Sequence, residues 1–233
     1  MAVQTARRRN PRTSGAETRR RAPRDWRDAG SRTEKSELIR QALVRAATEV
    51  VGEVGYAGAS ISLITQRAGV AQGTFYNYFR SRQDILDQLL PEMGARMLEH
   101  VRDSARGGSR FAELEERSFR AFFSFLKQTP HFFRILNEAE SFAPAGHAQH
   151  FGMVSQRYLR FLRRSLRNGE FPGYGESELE VIVHILMAAR SYLALRFTNG
   201  GDGTRDIPVR VVRTYMKFVL HGLQGQPPKG AAG

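Results

Sequence analysis

The sequence predicts an all-α chain: an N-terminal three-helix unit containing a helix-turn-helix, then a larger helical domain, about nine helices in total. Three observations carry this. Apolar residues recur at three-to-four spacing over long stretches, as at Ile39, Ala42, Leu43, Ala46, Val50 and Val54, which share one helix face. Glycine and proline break such stretches at Gly55 to Gly58, Gly107 and Gly108, Pro130 and Asn199 to Gly203. Between the first two long stretches lie two short helical runs joined at Gly69.

The first helix is expected over about Ser36 to Val54, with Lys35, Arg40, Arg45 and Glu49 on its polar side. After a glycine-rich connection the chain reads SISLITQRAGVAQGTFYNYF from Ser60 to Phe79. Ile61, Ile64 and Ala68 share a helix face; Gly69 gives the freedom for a sharp turn, and Val70 returns an apolar side chain to the same core. In the run that follows, Phe75 and Phe79 share one face while Gln72, Thr74, Tyr76 and Asn77 lie off it. Two short helices across a glycine turn form the helix-turn-helix pattern, whose second helix is built to enter a major groove. The plainer reading is an αα-corner whose aromatic residues only pack.

The wording of this stretch resembles the DNA-recognition signature of the TetR family of repressors. There a helix opens after Ser or Thr, reads I-A-x-x-A-G-V, and continues through G-T-x-Y-x-x-F into a Lys or Arg. The matching residues are Ser60, Ile64, Thr65, Ala68, Gly69, Val70, Gly73, Thr74, Phe75, Tyr76, Tyr78, Phe79 and Arg82. Thr65 replaces the usual alanine, and Ala71 stands where a capping Ser or Thr is common, a loss of about 0.5–2 kcal/mol. The resemblance spans roughly Ser36 to Leu90. It implies a repressor that binds a palindromic operator in double-stranded DNA as a homodimer and is released by a hydrophobic or aromatic small-molecule effector. With the geometry, it offers Gln72, Thr74 and Asn77 to base edges and Ser62, Tyr76, Tyr78 and Arg82 to phosphates. Ser60, Gly73 and Arg32 complete the expected DNA-binding set.

Ser81 and Asp84 form a variant capping box for a fourth helix that carries Ile85, Leu86, Leu89, Leu90, Met93 and Met97, with a bend expected at Pro91. By resemblance this helix links the two domains. A fifth helix begins near Phe111 and ends before Pro130, a short sixth runs from His131 to Asn137, and Ser141 to His147 reads as a loop. A long helix from about His150 to Leu166 follows. The last two are expected over Glu176 to Phe197 and Asp206 to Leu220.

Fifteen phenylalanines, concentrated between Phe111 and Phe151, either fill a large core or line a cavity. The resemblance favours a cavity for a lipid-like, steroid-like or multi-ring effector, with Phe119, Phe123, Phe133, Tyr158 and His184 as expected ligand-binding residues. The last two helices carry apolar residues on more than one face, which suits burial by their own bundle on one side and by a partner on the other. Leu179, Val183, Leu186, Arg190, Val212, Tyr215, Met216 and Val219 are the expected dimer-interface residues.

Composition sets the outer limits. The 233 residues, 41% of them hydrophobic, suffice for one or two domains with a real core. A net charge of +13 favours a polyanionic partner without implying sequence recognition. No apolar run approaches a membrane span, no signal peptide is evident and cysteine is absent, so a cytoplasmic protein without a membrane partner is expected. Met1 to Arg32 holds ten arginines and reads as a disordered basic arm, which either follows DNA through Arg24, Arg27 and Arg32 or is an overlong gene start. The expected domains are the arm (1–32), the helix-turn-helix domain (33–80), the regulatory and dimerisation domain (81–222) and a disordered tail (223–233). No nucleophile–base set or phosphate-binding loop is present, so no catalytic residue and no cofactor is expected. His147 and His150, near Glu138 and Glu140, suit solvation better than metal ligation, so no metal site is assigned. The competing function class is a helical small-molecule-binding or interaction protein without specific DNA binding.

Overall fold

A computed structural model describes residues 25–198 and 205–223; the arm up to residue 24, the glycine-rich linker and the tail from residue 224 lie outside the described residues. All regular structure among the described residues is helical. Nine α-helices follow in order: α1 (Arg32–Gly58), α2 (Ile61–Ala68), α3 (Gln72–Phe75), α4 (Arg82–Ser104), α5 (Phe111–Gln128), α6 (His131–Phe142), α7 (Pro144–Arg167), α8 (Leu179–Phe197) and α9 (Val209–Leu223). Single 3-10 turns occupy Trp26–Asp28 and Glu176–Glu178.

The chain divides into two compact units, one ending at Ile39 and one beginning at Arg40. In the first, the expected arm already has local structure. Asp25 caps the Trp26–Asp28 turn by accepting from the Arg27 amide at 2.9 Å, and the Arg27 guanidinium lies 4.2 Å from the Trp26 ring centroid. Helix α1 starts at Arg32, four residues before the position expected. Ser31 accepts from the Glu34 amide at 3.1 Å while Glu34 accepts from the Gly30 amide at 2.8 Å, so the first turn is capped from both sides.

In the second unit the apolar stripe of α1 is buried, with Leu43, Ala47 and Val51 fully enclosed. Helical dihedrals break at Gly55, which holds φ 77° and ψ 170°. Only glycine takes that backbone without strain, and a Cβ there would also lie 2.9 Å from Glu138. Ser60 and Ser81 cap α2 and α4, each accepting from the amide three residues on. Ala71 caps nothing, as its methyl side chain dictates.

One expected feature of the following bundle comes out differently. The loop over Ser141 to His147 is absent: α6 continues to Phe142, and α7 opens at Pro144 after Ala143 alone. Proline suits a first helical position because its missing N–H has no partner there anyway. Gly146 is a packing glycine, since a Cβ on it would lie 2.2 Å from the Asp87 carbonyl oxygen of α4. Helix α4 runs on through Pro91. A proline removes the donor to the carbonyl four residues back, and for Pro91 that carbonyl is Asp87, against which Gly146 lies. Gly94, one turn further on, leaves the space taken by His150, whose Nδ1 would be 2.1 Å from a Cβ. Helix α7 thus settles on α4 where proline and glycine have cleared the backbone.

Candidate nucleic-acid interface and helical cavity

The α2–α3 corner is built locally. Gly69 ends α2 in the left-handed region at φ 68°, and the amides of Gly69 and Val70 reach back to the carbonyls of Gln66 and Thr65 at 3.2 and 3.1 Å. Ile64, Phe75 and Phe79 are fully buried, with the two phenylalanine rings 5.5 Å apart. Thr65 is buried as well, and its hydroxyl bonds the carbonyls of Ile61 and Ser62 at 2.9 and 3.1 Å. That satisfies the polar group which an alanine would not bring.

Burying those residues leaves a polar outer face. Ser60, Ser62, Gln72, Gly73, Tyr76 and Asn77 are exposed, Tyr76 at 58%, while Thr74 and Tyr78 are half-buried. Gly73 has nothing within 4 Å of a built Cβ and no positive φ, so neither packing nor backbone within the chain requires a glycine there. Arg32 is exposed in the first unit.

Arg82, expected at a phosphate, is bonded within the chain. Its Nε donates to the Ala59 carbonyl and its Nη2 to the carbonyls of Tyr56 and Ala57, so the guanidinium closes the end of α1. A helix end leaves carbonyls without partners, and a cation satisfies them in both hydrogen bonding and charge. The same logic fixes Arg67, which sequence reasoning passed over. It pairs with Glu53 at 2.7 Å and Glu49 at 3.3 Å, tying α2 to α1. Arg67 holds the Glu53 carboxyl below its ordinary value, and the two carboxylates raise Arg67 in turn. These pairs span 14 and 18 residues, a separation that no local pattern reveals.

A cavity of about 430 Å³ lies among α4, α5, α6, α7 and α8. Of the five expected ligand-binding residues, Tyr158 alone lines it. Phe119 and Phe123 are buried outside its lining, Phe119 stacking on Tyr215 at 3.9 Å between ring centroids. Phe133 is half-buried, and His184 is exposed with Nδ1 2.8 Å from the Glu180 carbonyl. Neither lines the cavity.

Behind Tyr158 sits a fully buried carboxylate, Glu115. Its oxygens accept from Tyr158 at 2.7 Å, Tyr215 at 2.6 Å and Arg190 Nη2 at 2.7 Å, and Arg190 Nη1 donates to Ser118 at 3.1 Å. Burial alone would lower Arg190, but Glu115 and the two tyrosines more than offset it and hold the guanidinium charged. Burial, aided by Glu115, likewise pushes both tyrosines up and keeps them as donors. Removing one partner of such a pair strands a buried charge, at a cost of about 3–5 kcal/mol. Arg190 Nε and His150 Nδ1 are buried without a hydrogen-bond partner, and both residues line the cavity. Among the described residues no cluster of His, Asp or Glu suits a metal ion.

The expected interface residues point the other way. Leu179, Val183, Leu186 and Arg190 on α8, and Val212, Tyr215, Met216 and Val219 on α9, are all buried within the chain's own bundle. The exposed apolar residues of α8 are Val181, Ile185, Ala188, Tyr192 and Leu195, beside exposed Glu180, His184 and Arg196, and Phe218 on α9 is 72% exposed. Helix α8 carries an apolar stripe on each side, and spacing alone does not say which turns inward. No described helix is long and apolar enough to cross a membrane.

Comparison with known proteins agrees with this architecture. Residues 43–89 match the family model of bacterial regulatory proteins of the tetR family. A relative, the fatty acid metabolism regulator protein of Bacillus subtilis, is 38% identical over 81 residues, covering 33% of this chain and 42% of that protein, so the chain spans less than half the length of this relative. In structure the chain is similar to the fatty acid degradation regulator FadR from Bacillus halodurans, with TM-score 0.60 and 23% identity over 79% of this chain and 96% of that one. It is also similar to a TetR-family transcriptional regulator from Pectobacterium atrosepticum, with TM-score 0.63 and 21% identity over 84% and 99%. Residues 43–89 thus carry the helix-turn-helix region matched to the tetR family of bacterial regulatory proteins, within an all-α fold similar to those two regulators.

Proposed function

We propose that this protein is a transcriptional repressor that binds palindromic DNA as a homodimer and lets go when a small apolar molecule fills the cavity. The observation that carries the reading is the α2–α3 corner: Gln72, Gly73, Tyr76 and Asn77 are exposed together while Ile64, Phe75 and Phe79 hold the two helices from behind. Gln72 and Asn77, with half-buried Thr74, serve as base-edge readers. Ser62, Tyr76 and Tyr78 serve as phosphate contacts, with Ser60 at the α2 cap and Arg32 nearer the N-terminus. The helix-turn-helix domain over 33–80 acts in DNA binding, and 81–222 in regulation and dimerisation.

Pairing is supported by the outward stripe of α8. Val181, Ile185, Ala188, Tyr192 and Leu195 alternate spacings of four and three, the 3.5-residue period of a helix seam, and Tyr192 is 70% exposed. An apolar seam of this kind is unfavourable in water and is covered by a second copy of itself in a twofold pair. The two recognition helices of such a pair meet half-sites about 34–36 Å apart, or a multiple of that. Effector binding is supported by the cavity, whose walls include α4, the helix that leads out of the DNA-binding corner. The names of two similar proteins, regulators of fatty acid metabolism and degradation, suit an effector with an acyl-like tail.

Selection of bound duplexes from a random pool by the full chain tests the reading. Enrichment of one inverted repeat is the expected outcome. Recovery of duplexes without a shared sequence would leave the helical small-molecule-binding protein as the better description.

A further inference from the structure

The cavity has a charge pattern that its apolar walls do not explain. Its lining contains no carboxylate, yet it holds five arginines: Arg102, Arg157, Arg160, Arg164 and Arg190. Arg190 is answered by Glu115 from behind the wall, and Arg102 by its neighbour Asp103 at 3.3 Å. Arg157, Arg160 and Arg164 have no ion pair among the described residues. They stand three and four residues apart on one face of α7, where like charges repel. Arg160 and Arg164 are exposed as well as lining, so the cavity reaches solvent along this stripe.

The same helix gives the cavity its length. His150 and Arg164 both line it and stand fourteen residues apart on α7, roughly 21 Å of helix rise. Between them Phe151, Val154 and Phe161 supply apolar wall, faced by Met97, Val101 and Phe122. A space of about 430 Å³ drawn out along a helix suits a linear tail better than a compact ring system.

From this we propose that the cavity takes an amphipathic anion: a linear aliphatic tail along α7 and an anionic head group on Arg157, Arg160 and Arg164. The proposal rests on the reading of the cavity as the effector site and names the chemistry of that effector. The charge on the head relieves the repulsion within the stripe, and tail burial supplies affinity without direction. Each added methylene within the cavity raises affinity about fourfold.

Calorimetric titration of the full chain with decanol, decanoate, decyl phosphate and inorganic phosphate tests this. Decyl phosphate is expected to bind at least tenfold more tightly than decanol, with decanoate between them and inorganic phosphate too weak to displace decyl phosphate. The double variant R160Q/R164Q is expected to lose tenfold or more for decyl phosphate and nothing for decanol. R167Q, which removes an exposed α7 arginine outside the lining, keeps the affinity of the parent chain. Equal affinity for the alcohol and the phosphate would overturn the head-group assignment, as would equal losses in R160Q/R164Q and R167Q. Displacement by inorganic phosphate at equal concentration would overturn the tail. Duplex binding is measured on the same preparation without additive. A protein that holds DNA but no decyl anion refutes this inference alone, and one that holds the anion but no duplex refutes the repressor reading alone.

Discussion

Glu138 of α6 accepts a hydrogen bond from the backbone amide of Tyr56 at 2.9 Å, across 82 residues of sequence. The amide follows the break at Gly55, where α1 has no carbonyl of its own to offer. Arg134, one turn earlier on α6, donates to the carbonyls of Gly52 and Glu53 at 3.1 and 2.9 Å. Helix α6 therefore holds both sides of the break, and the same helix gives Phe132 and Leu136 to the cavity wall. Replacing Glu138 by Ala leaves a half-buried amide without a partner, at a cost of about 1–3 kcal/mol in urea unfolding. If α6 carries the effector signal, E138A also shrinks the effector-induced loss of DNA affinity. An unchanged effector response would remove α6 from the route.

Gly73 faces open space, so nothing within the chain requires a glycine there. Gly73→Ala is expected to keep or raise the melting temperature, since alanine at a compatible position gains about 0.4–1 kcal/mol. Duplex affinity is expected to fall at least tenfold, because the added methyl stands between α3 and the groove. Full affinity in the folded variant would show that this face does not approach DNA.

The α4–α7 crossing makes the opposite forecast for another glycine. In Gly146→Ala the new methyl meets the Asp87 carbonyl, a backbone atom that does not yield, and a loss of about 1–3 kcal/mol is expected. Gly152, on the same helix with nothing within 4 Å of a built Cβ, is the control: alanine there is expected to stabilise by about 0.4–1 kcal/mol. Chemical denaturation of the two variants separates a tight crossing from a general glycine effect.

His150 gives the fold a pH dependence. Burial pushes its pKa down to about 4 from an ordinary 6.5; the nearby His147 adds to the shift and a hydrogen bond with the Leu90 backbone opposes it. The unfolded chain takes up this proton first as pH falls. Stability is therefore complete above about pH 6.5, declines between 6.5 and 4, and is flat with respect to this group below 4. The shift corresponds to roughly 3 kcal/mol. Urea unfolding of the parent chain and His150→Gln across that interval checks it: the slope is expected to flatten in the variant.

What was legible in the sequence is what local chemistry fixes. Ser60, Gly69 and Ser81 mark the ends of α2 and α4 because caps and left-handed turns are decided by neighbours within a few residues. Ile64, Phe75 and Phe79 were readable as core from their spacing. The misses share one cause, the need for a partner far along the chain. Arg82 looks like a free cation until the end of α1 comes to meet it, and Gly146 looks like a loop residue until α4 lies against it. The two apolar stripes of α8 differ only in which one α7 covers. Phe119 and Phe123 pack outside the cavity, whereas Arg157, Arg160 and Arg164, which sequence reasoning did not single out, line it.

The central claim is that the exposed face of α2 and α3 reads DNA, and fluorescence anisotropy on the selected duplex tests it most directly. Parent, Gln72→Ala and Tyr76→Phe chains are titrated on that duplex and on single-mismatch versions between 50 and 200 mM salt. The parent is expected to bind with log affinity falling at about 0.9 per phosphate neutralised against log salt. Q72A is expected to lose about 1–3 kcal/mol of discrimination at one base pair, and Y76F to weaken all duplexes alike. Equal affinity for selected and scrambled duplexes, unmoved by either substitution, would contradict the account.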